Sequence, residues 1–200
     1  TVWISNPSWE NHRAIFESAG FTVEAYPYYN RDTRGLDFPA MRATLAGLPA
    51  GSIVVLHVCC HNPTGADPDT AQWAEIIETV RDRGLVPILD LAYQGFASGL
   101  EADAMPVRRF VEAGVPAFVA NSFSKNFSLY GERVGALSIV APHADAATRA
   151  LSQLKRVVRA NYSNPPTHGA QVIAAVLTSP VLRARWEAEL AAMRVRIKDM

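Results

Sequence analysis

Apolar positions along the chain fall into two rhythms. Short continuous runs at residues 2–5, 22–26, 52–57, 86–90, 117–121 and 136–140 read as strands, since runs of this length bounded by turn residues suit a buried strand. Between the third and fourth runs, Trp73, Ile76, Ile77 and Val80 return every three or four residues. That spacing predicts a helix with Asp67 as N-cap, Pro68 at its first position and Gly84 as its stop. A second helix is predicted from Pro106, burying Val107, Phe110 and Val111 and ending at Gly114. Strands that are apolar throughout and alternate with helices predict an α/β fold, a mostly parallel sheet sandwiched by helices.

After Val140 only helical patterns remain, over residues 143–160, 167–177 and from Leu182 onward. The last of them spaces Leu182, Trp186, Leu190, Met193 and Ile197 by three or four. It reads as the start of a helical second domain, dividing the chain into a segment 1–178 and a helix 179–200. Trp186, Leu190 and Met193 are expected to present an apolar stripe with no partner in this chain. Residues 30–35, NRDTRG, read as a polar loop. The pattern opens inside a strand at Val2 and closes inside a helix, so the chain is expected to be an internal segment of a longer protein.

Charge narrows the partners. The 19 Lys and Arg residues balance 19 Asp and Glu, so no broad field draws the chain to nucleic acid or an anionic membrane. A hydrophobic content of 49% with 19% charged residues indicates a soluble globular protein. No run of eighteen apolar residues appears. Cys59 and Cys60 are sequence neighbours and poorly placed to bridge each other, which favours a reducing compartment and a cytoplasmic location.

Ligands of open parallel sheets bind beyond the carboxyl ends of the strands, which directs attention to the loops after His57, Leu89 and Asn121. The first is HVCCHNPTGAD. In an extended strand His57 and Cys59 lie about 7 Å apart, and His57 and His61 about 13 Å, so this run is not expected to hold a metal. Packed cysteines are the expectation, while the Asn62-Pro63 turn aims the Asn62 amide into a crevice. The second loop, DLAYQGF, places Asp90 at the end of an apolar strand, where a carboxylate needs a cationic or hydrogen-bonding partner. Tyr93 follows three residues later. In the third, SFSKNFSLYGERVG, Lys125 comes after Ser122 and Ser124, and Arg133 precedes Gly135. Hydroxyls, backbone N–H groups and a planar arginine fork suit phosphate oxygens. A lysine nucleophile, a buried carboxylate and a phosphate clamp together suit pyridoxal 5'-phosphate.

In order along the chain, SNPSWENH, CCHNPTGAD, DLAYQGF, SFSKNFSLYGERVG and RANYSNPPTHGA resemble the aspartate and aromatic amino-acid aminotransferases, the class I enzymes of fold-type I. The likeness covers the whole chain and implies a homodimer that exchanges amino groups between amino acids and 2-oxo acids such as 2-oxoglutarate. It implies that Lys125 forms the Schiff base and shuttles the proton, and that Asp90 partners the pyridine nitrogen. Asn62 and Tyr93 would donate to the phenolate oxygen, Trp9 would stack on the ring, and His12 would stand behind the aspartate. Ser122, Ser124 and Arg133 would meet the phosphate. Arg159 would reach the neighbouring subunit's site and pair with a dicarboxylic substrate, with Asn62 and Trp9 also on the substrate side.

The resemblance places further phosphate-cup residues before Thr1 and an α-carboxylate arginine beyond Met200. A decarboxylase or β-lyase of the same fold type would share Lys125 and Asp90 but break a different bond; Arg159 argues against it. Absence of those flanking residues would leave a catalytically silent fragment. No G-x-G-x-x-G follows a strand, which disfavours a nicotinamide dehydrogenase.

Overall fold

The computed structural model describes all 200 residues. Its elements run β1 (Val2–Asn6), α1 (Glu10–Ser18), β2 (Val23–Pro27), β3 (Tyr29–Asn30), β4 (Gly35–Leu36), α2 (Phe38–Gly47), β5 (Ile53–His57) and α3 (Thr70–Arg83). They continue with β6 (Val86–Leu91), α4 (Leu100–Asp103), α5 (Met105–Glu112), β7 (Ala117–Ser122), β8 (Gly135–Val140), α6 (Ala144–Asn161), α7 (His168–Thr178) and α8 (Pro180–Lys198). Six strands form one sheet in the order β2-β1-β5-β6-β7-β8. Every pairing is parallel except β7 with β8, so the sheet is mostly parallel with one antiparallel edge.

The main core lies on one face. Val54 and Leu56 of β5, Leu89 and Leu91 of β6 and Val119 of β7 pack against Met41 and Leu45 of α2, the predicted stripe of α3, and Phe110 of α5. Trp73, Ile76, Ile77 and Val80 are all buried, and each such side chain contributes roughly 1.5–3 kcal/mol relative to exposure. A smaller cluster of Val2, Ile4, Val23 and Val55 lies on the opposite face, with Phe16 of α1 over it.

The cap of α3 differs from the sequence expectation. Asp69, not Asp67, accepts from Gln72 N at 2.8 Å while the Gln72 side chain accepts from Asp69 N at 2.9 Å, a reciprocal capping box. Pro68 therefore precedes the helix. Asp67 is committed elsewhere: it accepts from Cys60 N at 2.6 Å and His61 N at 2.8 Å, tying down the loop after β5. The polar stretch 30–35 is the tip of a short antiparallel hairpin, with Asn30 paired to Gly35. Helices α1 and α2 were not anticipated. Asp37 accepting from Ala40 N, with Pro39 in the first turn, is a legible signal for α2, whereas Trp9 caps α1 without any side-chain bond.

The stripe on α8 is not left bare. Leu190 is buried, Trp186 is half-buried, and the Trp186 ring stacks on Phe127 at 4.4 Å. Leu182 and Ile197, at either end, remain exposed.

Two buried features underpin the loops at the carboxyl edge of the sheet. The Asp103 carboxylate, 4% exposed, accepts four backbone N–H groups: Gly95 and Ala97 at one oxygen, Ser98 and Gly99 at the other, over 2.7–3.2 Å. His57 and His61 form the second feature. Their ring centroids lie 4.4 Å apart, and Tyr28 stacks on His61 at 3.7 Å. An extended chain would have separated the two histidines widely; the turn at Cys60, with φ of 51°, folds them together. Burial pushes His57 down to about 4 and His61 to about 3.

Asp103→Asn replaces two of the four accepting positions with an amide that itself donates, so it should destabilise the protein by about 2–4 kcal/mol in urea unfolding. A loss under about 0.5 kcal/mol would contradict the bonding described. The histidines set an acid limit: the unfolded chain binds protons near pH 6.5, the folded one only near 4 and below, so protonation favours unfolding. Stability should be fully present above pH 6.5 and fall as pH drops toward 4, and His57→Gln should flatten that part of a stability-versus-pH curve.

Candidate active site

Four adjacent parallel strands, β1, β5, β6 and β7, send their carboxyl-end loops to one place, where they enclose a cavity of about 320 Å³. The loop after β1 contributes Trp9. β5 ends in His57 and its loop brings Asn62. β6 and the residues after it supply Asp90, Ala92 and Tyr93, the end of β7 supplies Ser122, and the connection from β7 to β8 supplies Ser124, Lys125, Tyr130 and Arg133.

Strand register builds the floor. His57 of β5 lies directly beside Asp90 of β6, so parallel pairing sets both side chains on the same face. The Asp90 carboxylate, 19% exposed, is met from α1 by His12 Nε2 at 2.9 Å. A carboxylate only accepts, so Nε2 carries a proton, and the Ser8 hydroxyl stands 3.0 Å from Nδ1 on the far side of the ring. The partner that a carboxylate in this position requires is therefore a histidine from a helix that the hydrophobic pattern did not reveal. Trp9 meets His12 edge to face at 5.3 Å, and His12 lies 4.9 Å from His57, so an aromatic series runs beneath the cavity.

The rim is cationic. Lys125 occupies a single helical turn in which Phe127 N donates to Phe123 O and Ser128 N to Lys125 O. Its Nζ stands 4.9 Å from the centroid of the Tyr93 ring. Burial, then the nearby Tyr130 and Asp90, raises the Tyr93 phenol above its ordinary value, so it keeps its proton as a donor at neutral pH. The Ser122 hydroxyl accepts from Ser124 N at 3.2 Å. Arg133, left-handed at φ 51°, donates to Tyr130 O at 2.9 Å. The chain returns into β8 through Gly135, where a Cβ would stand 2.7 Å from Asn121 O; only glycine permits that approach.

Two cations against one carboxylate favour an anionic guest, and the indole of Trp9, 41% exposed, offers it a flat face. Both ring nitrogens of buried His57 lack a hydrogen-bond partner, and the residue lines the cavity. The ligating atoms of His12, His57 and Asp90 lie within 4.8 Å of one another, but His12 and Asp90 are already bonded to each other.

Of the residues singled out from the sequence, Trp9, Asn62, Asp90, Tyr93, Ser122, Ser124, Lys125 and Arg133 line this cavity, and His12 lies directly behind it. Arg159 does not. It lines a separate, wider hollow of about 1030 Å³ with Leu137, Leu151 and Tyr162, and donates to the Ser163 hydroxyl. Sequence reasoning missed His57 as a lining residue, although its place at a strand end beside Asp90 was a usable signal. Tyr130 left none, since nothing in a loop sequence says which way the loop folds.

The comparisons with known proteins agree with one another. The chain is 58% identical to the aspartate aminotransferase of Pseudomonas aeruginosa over 200 residues, covering all of this chain and 50% of that protein. It is 57% identical over 199 residues to the aromatic-amino-acid aminotransferase of Escherichia coli, again covering 100% of the chain and 50% of the relative. The chain thus spans about half the length of these curated relatives. Among solved structures, the Burkholderia pseudomallei aromatic-amino-acid aminotransferase covalently bound to pyridoxal phosphate superposes with a TM-score of 0.98 at 61% identity, over 100% of this chain and 50% of that one. A psychrophilic aromatic aminotransferase from Psychrobacter sp. B6, cocrystallised with aspartic acid, gives 0.98 at 45% identity over the same shares. Residues 1–200 match the family model "Aminotransferase class I and II", and the chain belongs to that family.

Proposed function

We propose that the protein is a pyridoxal-phosphate-dependent aminotransferase that transfers an amino group between an amino acid, aspartate or an aromatic one, and 2-oxoglutarate. The observation that carries this reading is the convergence of a lysine and an arginine from the β7–β8 connection and a histidine-backed carboxylate from the end of β6 on a single cavity beside an indole. When bound, pyridoxal phosphate supplies an electron-withdrawing ring that stabilises negative charge on the substrate carbon losing its proton.

The chain's own residues do the rest. Asp90 would hold a proton on the ring nitrogen, and the His12 N–H, by fixing the orientation of the carboxylate, supports that task. Asn62 and Tyr93 would donate to the phenolate oxygen. Trp9 would cover the ring face and exclude water, with Asn62 and Trp9 also touching substrate. Ser122, Ser124 and Arg133 would take the phosphate. Lys125 Nζ would bind the cofactor covalently and, once freed, accept the substrate's α-proton and return it.

Arg159 is proposed to act in trans, across a homodimer. It lies apart from its own cavity on α6, a helix with no buried residue whose Leu151 and Val157 are exposed. A second subunit covering that face would bring Arg159 to the partner's site. We further assign residues 1–178 to the cofactor-binding segment and 179–200 to a helix leading toward a second domain. No helix is long and apolar enough to cross a membrane. A cytoplasmic location suits the neighbouring free cysteines Cys59 and Cys60.

Borohydride reduction of the cofactor-loaded, full-length protein, followed by peptide mapping, should place the pyridoxyl adduct on Lys125; an adduct on Lys155 or Lys198 would sink the assignment. Loss of a desolvated, charge-assisted pair costs roughly 2–5 kcal/mol, so Arg159→Ala should lower kcat/KM for aspartate roughly 30- to 5,000-fold and for phenylalanine far less. Mixing Arg159→Ala with Lys125→Ala subunits tests the trans geometry. One site of the mixed dimer would hold both defects and the other neither, so about half the activity toward aspartate should return. Proven mixed dimers without recovery would place Arg159 in its own subunit's site.

A further inference from the structure

One face of α8 grips both loops that carry the reactive groups. Trp186, Leu190 and Arg194 follow each other at four-residue spacing and share a stripe. The Trp186 indole N–H donates to Asn126 O at 2.7 Å, and its ring lies on Phe127 at an interplanar angle of 18°. Asn126 and Phe127 are the two residues after Lys125. One turn further, Leu190, 1% exposed, presses on Gly95: a Cβ there would stand 2.4 Å from Leu190 Cδ2, so a larger residue, already strained at φ 101°, would have to displace the leucine. Another turn on, Arg194 Nη1 donates to Gly95 O at 2.8 Å. Gly95 lies two residues after Tyr93.

The two loops are also joined to each other. Asn126 Nδ2 donates to Gln94 O at 3.3 Å, and Asn121 Nδ2 to Gln94 Oε1 at 3.0 Å. Asn126 is 3% exposed, so its carbonyl has no easy recourse to water if the indole donor is lost. A lysine side chain has four rotatable bonds, and the placement of its Nζ depends on how firmly its Cα is held.

Resting on the reading of Lys125 as the cofactor-binding lysine, we propose that Trp186 is a positioning residue. Through the Asn126 carbonyl and the Phe127 ring it fixes the turn that bears Lys125 relative to Tyr93, with Leu190 and Arg194 holding the tyrosine loop from the same helix. Helix α8 thus sets the distance between amine and phenol, although none of its residues lines the cavity.

The test is Trp186→Phe in the full-length protein, which keeps an aromatic ring for Phe127 and removes the N–H donor together with the five-membered ring of the indole. In the cofactor-free protein, amide hydrogen exchange across residues 123–128 should rise roughly 2- to 10-fold, the effect of one lost hydrogen bond. In the cofactor-loaded protein, the pH midpoint of the absorbance change of the lysine-bound cofactor should move by about 0.5 unit or more. kcat should fall several-fold with KM within about 2-fold. Arg183→Ala, on the same helix but exposed and paired only with Glu187, should leave all three readouts unchanged. Wild-type exchange and midpoint in folded Trp186→Phe, or a lower Tm as its sole change, would overturn the proposal. Failure of both proteins to attach cofactor at Lys125 would instead overturn the functional reading; the exchange measurement on cofactor-free protein still decides the role of Trp186.

Discussion

A carboxylate at the end of a buried strand has to be compensated, and the bond from His12 to Asp90 is where this structure meets that demand. The strand β6 is central, flanked by β5 and β7, so Asp90 is surrounded by protein on both sides along the sheet. A 2.9 Å bond from His12 keeps the acid in place, and Ser8 in turn meets the histidine. The compensation comes from above the sheet edge, not from a cation within it. That leaves Lys125 and Arg133 uncommitted to Asp90 and available to a guest in the same cavity.

The same device recurs at the loops. Asp67 collects the N–H groups of Cys60 and His61, and Asp103 collects four more between Gly95 and Gly99. Irregular backbone at a ligand site carries N–H groups that no sheet or helix pairs, and a buried carboxylate satisfies several at once. These acids rigidify the segments that aim Asn62 and Tyr93, one step removed from the cavity. Preorganisation by such neighbours keeps a site from depending on the guest to fold it.

Two surfaces of the chain contrast with this tight edge. Residues 135–138 of β8 are exposed on both faces, and α6 buries nothing. Arg159 lies there, in the hollow shared with Leu137 and Tyr162. Rigid loops on one side and an uncovered face on the other fit the proposal that the loops of this chain hold the cofactor while Arg159 serves a second copy.

Some of this was readable from residue order. Period-three and period-four spacing of Trp73, Ile76, Ile77 and Val80 marked α3, and apolar runs marked all six strands of the main sheet; burial on both faces explains that signature in β5, whereas β8 carries an apolar run although its residues 135–138 are exposed. Motif residues after those runs supplied the lysine, the acid and the arginine, since loop chemistry at strand ends is local. Local sequence could not show which carboxylate serves which loop: Asp67 and Asp69 are two residues apart and equally suited to cap a helix, and the choice between them rests on where the β5 loop lies in space. The pairing of His12 with Asp90 spans 78 residues, and that of Trp186 with Asn126 spans 60. His57 and His61, far apart in any extended reading, touch because the backbone turns at Cys60. Sequence by itself determined the six strands of the main sheet, the fold class and the inventory of chemical groups. Tertiary structure alone decided which of those groups meet, because strand order and loop path, not sequence distance, fix the separation of side chains at the edge of a parallel sheet.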